Sequence, residues 1–327
     1  MGSRRLQQSE CGTQRMSTIS ELLNNNSIIL LDGGVSTEIQ QRGVTMDNEA
    51  WSALATRTHP NVVREVHEDY IRAGAQVITA NTYSTARHVL ESIGLGEETR
   101  SINTEAVQVA RAARDNAASE PTWIAGSMSS FPPFNSSHDV TTGTSAAANY
   151  EELAVTLAEA GVDLIIAEMM RDFENAPMII EAALSVDLPV WIGYSACRTG
   201  DGTNVRSYPW RRAGGATVTH DFGELVKAIT LLGGEAAGVM HSQVEDTGPA
   251  LEILARHWPG PKLAYAETGH LIPPDWTFDE ACSPDEYALA TEGWITDYGI
   301  QIVGGCCGTR PEHIRRLRER LPRQLPA

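Results

Sequence analysis

Residues 164–194 read LIIAEMMRDFENAPMIIEAALSVDLPVWIGY. An apolar run at 164–167 is followed by a segment at 173–184 with apolar residues at helical spacing, and then by a second apolar run at 190–194. Strand, helix and strand in that order form the repeating unit of a parallel sheet. The same alternation extends in both directions. Runs rich in Ile, Val and Leu predict further strands at 28–31, 76–79, 122–125, 236–239, 262–265 and 300–303. Helical periodicity predicts helices at 63–73, 101–118, 147–159, 223–232, 249–257, 285–298 and 311–320. About eight of each is the pattern of a closed (β/α)8 TIM barrel, an α/β fold. A doubly wound open sheet competes, but Asp32-Gly33-Gly34-Val35-Ser36 after the first strand lacks the glycine spacing of a phosphate-binding fingerprint. One barrel domain is expected over residues 21–327, preceded by a polar, aperiodic leader at 1–20.

Composition narrows the partners. With 42% hydrophobic and 20% charged residues, the chain can bury a large core. Lys+Arg number 25 against 42 Asp+Glu, a formal charge of -17, which repels nucleic acid and anionic membrane surfaces and favours cationic small molecules. No stretch approaches the roughly 20 apolar residues needed to span a bilayer, and the start lacks an apolar signal core, so a cytoplasmic protein is expected. Five cysteines, an odd number that includes the adjacent pair Cys306 and Cys307, do not form a secreted disulfide framework.

Three segments exceed ordinary loop length: 127–144, 196–219 and 270–282. All follow strands, which places them at the rim where barrels carry their active sites. The residues just after the predicted strands are rich in reactive groups: Asp32, Asn81, Thr82, Glu168, Ser195, Cys197, Met240, His241, Glu267 and Cys306-Cys307. Two thiols there are soft, anionic ligands once deprotonated, and they suit zinc when a third protein ligand leaves one position open. Gly304, Gly305 and Gly308 permit the sharp turn that lets neighbouring residues face one ion. The alternative is a pair of small buried cysteines with no ligand role.

The run Gly304-Gly305-Cys306-Cys307-Gly308-Thr309-Arg310-Pro311-Glu312-His313-Ile314 resembles the carboxyl-terminal zinc motif of the homocysteine S-methyltransferase family. Asp32 to Glu38 with Arg42-Gly43, followed by Trp51, resembles the opening motif of that family. Val66 to Ala75 and Ala80-Asn81-Thr82-Tyr83 resemble its second unit, and Leu164 to Glu168 with Phe173-Glu174-Asn175-Ala176 its fourth. The resemblance implies a zinc-bound thiolate that takes a methyl group from a sulfonium, ammonium or folate donor. It also implies that Asp32 and Glu168 hold the acceptor ammonium as the catalytic pair, with Gly33, Asn81, Thr82 and Glu267 completing the substrate pocket.

Three departures stand out. Where the family has Asn-Cys after the sixth strand, with that Cys the third zinc ligand, this chain has Met240-His241. Histidine can replace it, giving a Cys2His site of Cys306, Cys307 and His241 that is a stronger Lewis acid with a less electron-rich thiolate. Cys197 is the competing third ligand, and His241 is preferred because it holds the family position. The Thr expected after Glu168 is Met169, and Tyr265-Ala266-Glu267-Thr268-Gly269-His270 stands where the family has Tyr-Pro-Asn-Ser/Ala-Gly-Glu. The acceptor is therefore expected to be homocysteine or a related thiol or selenol. A chain of 327 residues has no room for cobalamin and folate modules beside a barrel, so S-methylmethionine or S-adenosylmethionine is the expected donor, with a betaine-type donor as a further option. A metal-dependent hydrolase or lyase acting on sulfonium compounds, or a non-catalytic binding barrel, are the competing functions.

Overall fold

Each of the eight predicted strands is present, and hydrogen bonding joins them in one parallel sheet. They are β1 (Ile29–Leu30), β2 (Val77–Thr79), β3 (Trp123–Ser129), β4 (Leu164–Met170), β5 (Val190–Tyr194), β6 (Ala236–Gln243), β7 (Lys262–Glu267) and β8 (Ile300–Val303). Each strand pairs with its sequence neighbour, β8 returns to pair with β1, and a parallel bridge from Leu31 to Val77 closes the ring. This (β/α)8 barrel is seen in a computed structural model that describes residues 18–131, 144–211, 217–272, 275–277 and 282–325.

Strand alternation divides the core into two shells. Ile29, Leu31, Val77, Trp123, Ala125, Leu164, Ile166, Trp191, Ala236, Leu263 and Ile302 fill the barrel interior. Their strand neighbours Leu30, Ile78, Ile124, Ile165, Ala167, Ile192, Val239, Ala264 and Val303 face outward into the helix layer. Each fully buried large side chain contributes roughly 1.5–3 kcal/mol of transfer free energy.

The outer layer consists of α1 (Pro60–Ala73), α2 (Thr99–Ala117), α3 (Thr144–Ala160), α4 (Asn175–Leu184), α5 (Phe222–Ile229), α6 (Val244–Ala255), α7 (Pro284–Tyr298) and α8 (Pro311–Arg320). Of these, α6 begins before the helix predicted at 249–257, and Pro249 lies inside it. Short helices at Val35–Gln41, Ala55–Thr58 and Arg87–Ser92 were not predicted.

The bottom of the barrel is plugged by a helix at Ile19–Asn24, with Ile19 and Leu23 buried among the interior residues. Thr18 and Glu21 form its capping box, a signature overlooked in the sequence reading, so residues 18–20 belong to the fold and not to a leader. Residues 1–17 lie outside the described residues. Two of the three long segments fold into hairpins. Ala196–Arg198 pairs with Val205–Ser207, Trp210–Arg211 with Thr217–Val218, and His270–Ile272 with Asp275–Thr277. Most of the third, residues 132–143, lies outside the described residues.

Candidate active site

The cysteine loop leaves the end of β8 and is held by its neighbours on both sides. The Gly305 N–H donates to the Asp32 carbonyl (2.9 Å), the Cys306 N–H to Ala266 (2.9 Å) and the Thr268 N–H to the Cys307 carbonyl (2.8 Å). Thr309 closes the turn by donating to the Cys306 carbonyl at 2.6 Å, and Gly308 takes φ +85°, a conformation that favours glycine. The loop also packs tightly on the first βα turn: a Cβ at Gly33 would stand 2.7 Å from the Thr309 carbonyl, and one at Gly34 2.7 Å from the Cys306 carbonyl. The glycines of the opening motif and the cysteine motif are thus two sides of one contact. Within it the two thiols lie 3.8 Å apart, sulfur to sulfur.

His241 joins them from β6. It has φ +42°, and the pairing of β6 with β7 shifts register between Met240 and Gln243. This bulge turns Met240 and His241 inward together, where plain alternation would send one of them out. The Nδ1 of His241 lies 3.4 Å from the Cys306 Sγ. Nδ1 or Nε2 of His241 and the two sulfurs all lie within 4.8 Å of one another. Cys197, the competing ligand, is elsewhere: its thiol points to the Ser207 carbonyl at 3.8 Å within a hairpin.

Burial governs the charges. It pushes His241 down to about 3, assisted by the Arg171 charge, so the imidazole is neutral at pH 7 and keeps a lone pair for coordination. Glu267 lies 3.1 Å from His241 Nδ1 and accepts from Gln243 Nε2 at 3.1 Å, and burial raises it to about 8. The His241–Glu267 contact is therefore between two neutral groups, not an ion pair. Burial and the adjacent Cys306 hold the Cys307 thiol well above its ordinary value. Two sulfurs and a neutral imidazole nitrogen at this spacing fit a metal ion, whose charge would offset the cost of ionising the thiols.

Across the barrel mouth stand two carboxyl groups. Asp32 accepts from the Thr79 N–H at 2.7 Å and the Thr79 hydroxyl at 3.0 Å. Burial outweighs those bonds and pushes Asp32 up to about 8, with the Glu168 charge adding to the effect. Glu168 accepts from the hydroxyls of Ser127 and of Tyr265, the latter at 3.1 Å, and burial raises it as well. Two buried carboxyl groups held above their ordinary range form a receptor for a cation, which would lower both.

Asn81 and Thr82 are buried with their polar atoms bonded inside the fold. Asn81 Nδ2 donates to the Ser52 carbonyl and Thr56 hydroxyl, and Ser52 donates to its Oδ1. The Thr82 hydroxyl donates to the Ser127 carbonyl and accepts from its N–H, tying the end of β2 to β3. The Ser195 hydroxyl lies 3.1 Å from the sulfur of Met169 and 3.1 Å from that of Met240, so two of the three departures from the family pattern meet on one hydroxyl.

Sequence reasoning missed Ser127, Thr79, Tyr208 and Arg171, and noted Tyr265 only within a motif. Strand parity was the available signal for three of these five, Thr79 continuing the inward position of Val77. Ser127 continues the inward series of Trp123 and Ala125, and Tyr265 that of Leu263.

Residues 29–321 match the family described as Homocysteine S-methyltransferase. The chain belongs to that family. Homocysteine S-methyltransferase 2 of Zea mays is 25% identical, with 91% of this chain and 93% of the relative covered. Selenocysteine Se-methyltransferase of Brassica oleracea var. italica is 25% identical over 93% and 92% of the two chains. The Escherichia coli homocysteine S-methyltransferase is 26% identical over 91% and 97%. The metallated form of the Escherichia coli homocysteine methyltransferase MmuM superposes with a TM-score of 0.68 at 24% identity, over 92% of this chain and 99% of that one, a likeness in fold. As a homocysteine S-methyltransferase family member the chain is a methyltransferase, with the family barrel and a histidine at one corner of its cysteine site.

Proposed function

We propose that this chain is a zinc-dependent S-methyltransferase that moves a methyl group from S-methylmethionine or S-adenosylmethionine to the thiol of homocysteine, or to a related thiol or selenol. The observation that carries the reading is the convergence of His241, Cys306 and Cys307 at the barrel mouth, opposite a pair of cation-receptive carboxyl groups. Soft sulfur with one imidazole suits zinc. When bound, zinc would supply the Lewis acidity that keeps an acceptor thiol ionised at neutral pH.

The protein's own groups do the rest. Asp32 and Glu168 take the acceptor ammonium, Ser127, Thr79 and Tyr265 orient those carboxylates, and Gly33 lets the first turn lie against the cysteine loop. Asn81 and Thr82 shape the wall. Glu267, bonded to Gln243, orients the His241 ring. The acceptor sulfur then attacks the methyl carbon in line; the new S–CH3 bond forms as the sulfonium C–S bond breaks, and that electron pair stays on the donor sulfur. With homocysteine the product is methionine. The thiols must stay reduced to act as ligands, which favours the cytoplasm; no described helix is long and apolar enough to cross a membrane.

Metal analysis of the untagged protein, paired with a screen of thiol and selenol acceptors against both donors, tests the reading. About one zinc per chain and methyl transfer to an amino-acid thiol support it. A folded protein that takes up no zinc on reconstitution and methylates no thiol overturns it.

A further inference from the structure

Arg171 lies three residues beyond Glu168, where β4 gives way to α4. It is only 9% exposed, its buried Nε has no hydrogen-bond partner, and no carboxylate pairs with it among the described residues. Other arginines behave differently: Arg42, Arg57, Arg87 and Arg310 each meet a carboxylate. The adjacent Asp172 is occupied, accepting from the N–H groups of Glu174 (2.8 Å) and Asn175 (2.5 Å) at the start of α4. A guanidinium stays ionised at any accessible pH, so burying one without a partner carries a heavy desolvation cost. The charge acts on Tyr83, Tyr208 and His241. The Tyr208 ring centroid is 5.1 Å from that of His241, and Tyr83 also feels Glu168, so the cation faces the same space as the thiols and the carboxyl pair.

We infer that Arg171 is the anchor for a substrate carboxylate, its planar fork pairing both oxygens while Asp32 and Glu168 receive an ammonium. An α-amino acid carries that complementary pair of charges. Either the methyl acceptor or the methyl donor supplies this chemistry. The choice of ligand class rests on the methyltransferase reading, but the anion anchor itself does not.

The test measures binding to the zinc-loaded protein by calorimetry, together with KM. Homocysteine is compared with 3-aminopropane-1-thiol, the same thiol without its carboxylate, and S-methylmethionine with its decarboxylated analogue. In the wild type, one of the two carboxylated ligands binds on the order of 10- to 100-fold more tightly than its analogue. Arg171→Met abolishes that advantage and leaves the analogue unchanged, Arg171→Lys keeps part of it, and the responding pair identifies acceptor or donor. Ligand-free Arg171→Met is expected to melt above the wild type, because an unpaired buried charge has been removed. Equal binding of both members of each pair by the wild type overturns the inference without recourse to any variant. Undisturbed binding and transfer in Arg171→Met overturns it too, and leaves the methyltransferase reading standing. A carboxylate preference that Arg171→Met removes, in a protein that transfers no methyl group, does the reverse.

Discussion

The Nδ1 of His241 lies 3.4 Å from the Sγ of Cys306, which brings the ends of β6 and β8 to one point. Losing a group that only hydrogen-bonds and orients a metal ligand costs about 10- to 100-fold in affinity, so His241→Ala, removing a proposed ligand itself, should cost more than that. Cys197→Ala should leave zinc retention unchanged, and His241→Cys should tighten it by restoring three thiolates. Competition with a chromogenic chelator measures all three. A site emptied by Cys197→Ala but kept in His241→Ala would place the third ligand on the hairpin after β5.

Glu168 accepts from the hydroxyls of Ser127 and Tyr265, and its charge acts on Asp32. Glu168→Gln is expected to weaken acceptor binding by roughly 2–5 kcal/mol, because the amide cannot supply the negative charge an ammonium needs. Metal content and the far-ultraviolet circular dichroism should not change. Steady-state kinetics with the acceptor varied provide the check, and an unaltered KM would return Glu168 to a purely structural position.

Gly34 has no room for a side chain, since its Cβ would meet the Cys306 carbonyl at 2.7 Å and crowd the Thr37 hydroxyl. Gly34→Ala should therefore displace the cysteine loop at a cost of about 1–3 kcal/mol and reduce zinc retention. Gly293→Ala is the control: nothing lies within 4 Å of its added Cβ, and it is inside α7. Alanine there should stabilise by roughly 0.5–1 kcal/mol without altering the metal. Melting curves and zinc content of the two proteins together decide whether the clash acts at the site.

His67 in α1 is fully buried, neither ring nitrogen has a partner among the described residues, and burial holds it down to about 4. A depressed folded value means that its neutral form supports stability above about pH 6.5, and that this support is lost as the pH falls to about 4. Between those limits the wild type should lose up to about 3 kcal/mol relative to His67→Phe, which has no proton to gain. Urea unfolding at pH 7, 5.5 and 4 measures the difference. Parallel stability curves for the two proteins would show that His67 does not titrate on unfolding.

Much of the fold was legible because its signal is local. Short runs rich in Ile, Val and Leu, alternating with segments of helical spacing, marked the eight strands and their helices, and the closed barrel followed from their number. The same alternation put Asp32, Glu168 and the cysteine pair at strand ends. Other features depend on how strands register against their neighbours, which a single run of residues does not encode. At Met169 (φ +59°) and His241 (φ +42°) the backbone bulges, and the pairing slips between Ala167 and Met170 and between Met240 and Gln243. Each slip turns two consecutive residues inward, Glu168 with Met169 and Met240 with His241. Ser195 is thereby set between two sulfurs, and the imidazole beside the thiols. Only the tertiary structure could show that Arg171 meets no carboxylate among the described residues, because isolation is a property of everything that surrounds a charge. The amino-acid sequence alone determined the barrel and which reactive groups stand at the ends of its strands. The side on which each group faces was decided by strand pairings between residues far apart in the chain, where backbone hydrogen bonding across the sheet overrides local alternation.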